Sequence, residues 1–109
     1  MKKISSKQRK VKKDLAVIYE EIAQESGRYC KGCGRSDVAL SFSHIIPRSR
    51  RPDLITDKDN ITIHCLSVEH KGCHEMWETK SDRSKLLDYH KNMEYILEVD
   101  TEYYFLISE

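Results

Sequence analysis

At 109 residues, with 34% charged and 39% hydrophobic positions, the chain is sized for one small domain whose modest core benefits from a metal staple. No apolar run approaches the roughly 18 residues of a membrane span, and Met1 to Ser6 lacks the apolar core of a secretory signal, so no membrane association and a cytoplasmic location are expected. The net charge of +1 hides an asymmetry: residues 1–51 carry +8 and residues 52–109 carry −7.

In chain order, the first 13 residues hold seven basic side chains and no acid, including Lys7, Arg9, Lys10, Lys12 and Lys13. Such clustering suits a phosphate backbone, and the plain alternative is a solubilising tail. Val11, Leu15, Ile18 and Ile22 recur at the spacing of one helix face, which predicts a helix over about 6–26. Ser5 or Ser6 can cap it and Gly27 can end it. Cys30 to Gly34 reads as a tight knuckle, with Gly32 and Gly34 expected to take positive φ. Residues 38–46 are rich in β-formers and predict a strand. Residues 47–59 form a polar loop carrying a second basic cluster, Arg48, Arg50 and Arg51. Ile61-Thr62-Ile63 predicts a second strand, within about 60–64. A short helix is expected over about 72–79 and another over about 83–98. A last one follows, capped by Asp100 or Thr101. The implied organisation is a basic N-terminal helix (1–28), a central unit (29–82) and a helical extension (83–109).

Cys30-x2-Cys33 is the spacing at which two thiolates grip one tetrahedral ion from a single turn. Cys65 and Cys73 supply a second pair, here seven residues apart. In a thiol-reducing compartment, two cysteine clusters favour a metal over two disulfides. The set Cys30, Cys33, Cys65 and Cys73 is favoured over one in which His70 replaces a thiolate. A closed site of this kind holds structural Zn²⁺.

Between and beside these cysteines lie Ser43-His44-Ile45-Ile46-Pro47, Asp59-Asn60-Ile61 and Cys73-His74. In that order they resemble the HNH endonuclease superfamily, most closely its zinc-knuckle members from phages and mobile elements. The resemblance spans about residues 30–80. It implies an α+β fold with a ββα-metal (His-Me finger) core, flanked by the N-terminal helix and the C-terminal helices. It implies DNA phosphodiester hydrolysis to 5′-phosphate and 3′-hydroxyl products. His44 takes the place of the general base. Asn60 takes the place of the residue whose carbonyl orients that imidazole. His74 takes the place of the ligand to a catalytic ion, Mg²⁺ or a transition divalent metal. The residue before the base is commonly an acid or histidine that also binds the ion; here it is Ser43, whose neutral hydroxyl is a poor ligand. Glu78 lies four residues beyond His74, on the same helix face, and can complete the ion's ligands. Glu75 is a second candidate, about 100° away.

The partner expected from this reading is DNA, bound through Lys and Arg contacts to phosphate with little sequence reading, because no recognition helix is evident. The alternative is an inactive or weak zinc module that keeps the fold and binds DNA or a protein, which Ser43 favours. A third reading is a zinc adaptor that docks a partner through residues 94–109. His64, His70 and His90 are read as surface, loop or helix-face residues.

Overall fold

The computed structural model describes residues 6–67, 72–80 and 82–108, with side chains from residue 10 onward. Helix α1 spans Ser6–Ser26, where the apolar periodicity predicts it. Leu15 and Ile22 are buried against Ile61 and Ile63, with Val11, Ile18 and Tyr19 packed at the margin. Tyr19 stacks on Phe42 with ring centroids 4.1 Å apart. The helix stops at Gly27, whose φ of +89° only glycine adopts without strain and whose N–H donates to Ala23 O at 3.0 Å. Ser5, a possible cap, lies outside the described residues.

Strand β1 (Leu40–His44) pairs antiparallel with β2 (Ile61–Cys65), with Ser41 opposite His64, Ser43 opposite Thr62 and His44 opposite Ile61. The strand expected over 38–46 is shorter because Ile45 and Ile46 turn into the core and Pro47 has no N–H to extend the ladder. Alternation gives the sheet two unlike faces. Leu40, Phe42, Ile61 and Ile63 meet α1. Ser41, Ser43, Thr62 and His64 form a polar face that meets the rest of the chain. The connection between the strands carries two single 3₁₀ turns, Pro52–Leu54 and Lys58–Asn60. Lys58 ties it back to α1 through Glu21 and Glu25, at 3.3 and 2.7 Å.

Helix α2 (Cys73–Glu78) packs on both strands. The helix expected over 83–98 is two pieces: a 3₁₀ turn, Arg83–Lys85, and α3, Tyr89–Val99. Between them Leu86 is extended, Leu87 N–H donates to Gly32 O at 2.8 Å, and Asp88 turns inward at the head of α3. Helix α4 (Thr101–Ile107) is capped by Asp100, whose carboxylate accepts the Tyr103 N–H at 3.1 Å. Ile46, Leu54, Trp77, Leu86, Met93, Ile96 and Tyr103 form one core cluster that also contains Cys30, Cys65 and Cys73. The chain is a small α+β domain with a two-stranded antiparallel sheet, four α-helices among the described residues and a four-cysteine cluster.

Candidate functional site

The cysteine cluster is built by three local structures. Cys30 and Cys33 sit on the knuckle, closed by Gly34 N–H to Cys30 O and Cys30 N–H to Arg35 O, both 2.8 Å. Gly34 has the expected positive φ of +83°; Gly32 does not, and glycine is needed there for space. A Cβ on Gly32 would lie 2.8 Å from Cys73 Sγ and 2.9 Å from a methyl carbon of Leu86. Cys65 ends β2 and Cys73 opens α2. The four sulfurs all lie within 4.8 Å of one another, and Cys33 and Cys65 are 3.8 Å apart. Four sulfurs about 2.3 Å from one tetrahedral zinc would stand about 3.8 Å apart, so the cluster fits that ion. None of the four is in a disulfide.

Backbone donors already point at the sulfurs. Gly32 and Cys65 N–H donate to Cys30 Sγ at 3.3 and 3.2 Å, and Cys73 N–H donates to Cys65 Sγ at 3.4 Å. Burial raises the Cys73 thiol well above its ordinary value, and the sulfurs of Cys30 and Cys65 raise it further. Burial likewise raises Cys30. Burial raises the Cys65 thiol too, but hydrogen bonds from the Cys73 N–H and the neighbouring thiols outweigh it and hold it below its ordinary value. His70 lies outside the described residues, and the four thiols close a site without it.

His44 ends β1 and is buried. Its Nε2 is 2.9 Å from Ile55 O. A carbonyl can only accept, so Nε2 carries the proton and Nδ1 keeps its lone pair. Burial chiefly holds this imidazole below its ordinary pKa of 6.5; the charge of Arg48 adds to the depression, while the Ile55 hydrogen bond and the charge of Glu78 oppose it. A neutral imidazole at neutral pH follows.

Asn60 does not orient that ring, contrary to the expectation from the resemblance. Its side chain is fully buried and clamps the connection instead: Ile46 N–H donates to its Oδ1 at 2.8 Å, and its Nδ2 donates to Ile46 O and Leu54 O at 3.1 and 3.3 Å. The orienting carbonyl belongs to Ile55, the residue after Leu54, so Asn60 acts on His44 only through the loop it holds.

Trp77 was not singled out by sequence. It is fully buried on α2, and its indole N–H is shared between the carbonyls of His44 and Ile45, both at 3.2 Å. It therefore fixes α2 to the end of β1. Arg83 covers its ring at 3.9 Å and donates to Trp77 O at 2.8 Å.

His74, second in α2, is half-buried and points its Nδ1 at the polar sheet face, 2.8 Å from Ser41 Oγ and 3.0 Å from Ser43 Oγ. Glu78, one turn on, is exposed, as is Glu75; neither side chain makes a hydrogen bond or ion pair among the described residues. His64 is not a surface residue. It is fully buried, with Nδ1 3.0 Å from Ser43 Oγ and Nε2 2.9 Å from Asp88 Oδ2. Asp88 Oδ2 also accepts from Thr62 Oγ1 at 3.2 Å and Asn92 Nδ2 at 3.0 Å. Burial raises the Asp88 carboxyl, but these donors outweigh it and hold the group below the ordinary carboxylate value. The signal for His64 was the alternation of LSFSH and ITIHC, which puts four polar side chains on one sheet face. His90 is exposed on α3, edge-on to Tyr89.

The second basic cluster is largely neutralised within the chain. Arg50 makes a two-point contact to Asp100, 3.2 Å at each end. Arg51 bonds Asp53 at 2.8 and 2.9 Å and lies 3.5 Å from Asp100. Arg48 is exposed and has no ion pair among the described residues. On α1, Lys10, Lys12 and Lys13 are exposed, with Lys10 4.0 Å from Asp14. The side chains of Lys7 and Arg9 lie outside the described set.

No family model, curated protein or solved structure matches this chain. No described helix is long and apolar enough to cross a membrane.

Proposed function

We propose that the chain is a small metal-dependent endonuclease of the HNH type, with β1, β2 and α2 as a ββα-metal core and a zinc knuckle stapling it. It hydrolyses DNA phosphodiester bonds to 5′-phosphate and 3′-hydroxyl ends. The observation that carries this reading is the convergence at the end of β1. His44, with Nε2–H held on Ile55 O at 2.9 Å and Nδ1 keeping its lone pair, directly follows Ser43, whose Oγ lies 3.0 Å from Nδ1 of His74 on α2.

His44 Nδ1 takes the proton from a water as its oxygen attacks phosphorus. The Ile55 carbonyl holds the ring and stabilises the imidazolium that forms. His74 and Glu78 are the residues that would hold a divalent ion, Mg²⁺ or a transition metal. Imidazole and carboxylate suit such ions, and when bound the ion would polarise the phosphate and stabilise the departing 3′-oxygen. Arg48, beside His44, and Lys10, Lys12 and Lys13 on α1 bind phosphates without reading bases. The test is cleavage of supercoiled plasmid in Mg²⁺, Mn²⁺ and Ni²⁺, with His74→Ala losing activity at low Mn²⁺ and regaining part of it in excess.

One observation favours the second reading, a zinc module that binds DNA without cutting it. Ser43 is fully buried between two imidazoles and offers no charged ligand. That reading is correct if the protein retards DNA while plasmid stays intact in all three ions.

A further inference from the structure

The buried chain of polar groups behind α2 has a definite direction. It starts at Asp88, whose Oδ2 accepts from three side chains, Thr62, Asn92 and His64. A carboxylate accepts, so His64 Nε2 carries a proton. With Nε2–H committed to Asp88, His64 turns its other ring nitrogen, Nδ1, to Ser43 Oγ, 3.0 Å away. Ser43 has one hydroxyl proton for two imidazoles; given to His64 Nδ1, it leaves Ser43 Oγ to accept from His74 Nδ1 at 3.0 Å.

Ser41 stands on the same ring nitrogen. Its oxygen lies 2.8 Å from His74 Nδ1 and 3.4 Å from His64 O, so an Nδ1–H on His74 can donate to Ser41 Oγ while the hydroxyl proton turns to His64 O. Two hydroxyl oxygens thus converge on one ring nitrogen. A bare Nδ1 has one lone pair and cannot take two full donors, whereas one N–H can be shared between two acceptors.

We infer that Asp88, His64, Ser43 and Ser41 are positioning residues that lock His74 in the tautomer with a proton on Nδ1, leaving the Nε2 lone pair free for a divalent cation. This inference rests on the reading above that His74 takes that cation. It gives Ser43 a role other than the missing ligand: its hydroxyl acts behind His74, as outer partners of metal-bound histidines do. Ser43 could not serve as a nucleophile, because it is fully buried.

The test uses the zinc-loaded full chain. Long-range ¹H–¹⁵N spectra of the imidazoles should show His74 protonated at Nδ1 and His64 protonated at Nε2. Mn²⁺ added to that sample should broaden the His74 ring. In the Ser41→Ala, Ser43→Ala double variant, with zinc content and fold checked, Mn²⁺ affinity should fall about 10–100-fold. A wild-type His74 protonated at Nε2 overturns the inference, and so does a folded double variant with unchanged Mn²⁺ affinity. Should the variant fail to fold, the wild-type spectrum decides alone. A wild type that keeps the Nδ1–H tautomer but binds no Mn²⁺ at His74 supports the relay and overturns the metal assignment of the proposed function.

Discussion

Trp77→Phe probes how α2 holds the end of β1. The indole N–H is the donor shared by His44 O and Ile45 O, both at 3.2 Å. His44 stands in a non-hydrogen-bonded pair of the ladder, and the Asn60 N–H that would meet Ile45 O donates to Asp57 O instead, so both carbonyls are left outside the ladder. Phenylalanine keeps an aromatic ring against Arg83 but removes the donor, stranding two buried acceptors at about 1–3 kcal/mol. The lost part of the ring leaves a void in a fully buried site, which costs about 1 kcal/mol more. The expected loss is about 2–4 kcal/mol, large beside the roughly 5–15 kcal/mol of a small domain but not enough to unfold it. Urea unfolding at fixed zinc, followed by circular dichroism, measures it. Because His44 hangs from the same carbonyls, cleavage should fall more than the folded fraction does. A loss below about 1 kcal/mol, with cleavage untouched, would refute the claim that this indole ties α2 to β1.

Three further outcomes are expected. Purified protein should carry about one equivalent of zinc by elemental analysis, and Cys73→Ser should unfold the domain, since metal binding is folding free energy here; a cooperatively folded metal-free wild type contradicts this. The depressed pKa of His44 means that its neutral, base-competent form persists below pH 6.5, so kcat/KM should rise with pH through a midpoint under 6.5 and then level off; a midpoint above that value removes His44 as the base. Arg48→Gln should lower the salt slope of DNA binding by about 0.9 without affecting stability, whereas Arg50→Gln should destabilise the fold through Asp100 and leave the slope alone; equal slopes for the two variants refute the division.

Much of the fold was legible because its signals are local. The 4-3-4 apolar spacing marks α1, Gly27 ends it, and β-branched residues mark β2. The cysteine cluster was legible from spacing alone. What sequence did not reveal depends on groups distant in the chain. Arg50 and Arg51 look like a phosphate-binding pair until α3 and α4 bring Asp100 against them. The break at Leu86–Asp88 looks helical by composition; the Asp88 carboxylate reaches His64, 24 residues away, and does not cap the backbone of α3. The resemblance makes Asn60 the partner of His44, yet the connection curls so that Ile55 supplies the carbonyl. Nothing in the sequence marks Trp77 within the expected short helix, because the two carbonyls it serves have no sequence signature.

The central claim is that His44 is the base of a hydrolytic site, and His44→Ala tests it most directly. Wild type and variant, matched for zinc content and circular dichroism, are incubated with end-labelled duplex DNA in Mn²⁺. The account predicts wild-type products bearing 5′-phosphates and 3′-hydroxyls, and a variant slower by about 10²–10⁴-fold with DNA retardation unchanged. Equal cleavage by the two proteins, or intact DNA with both, would contradict it.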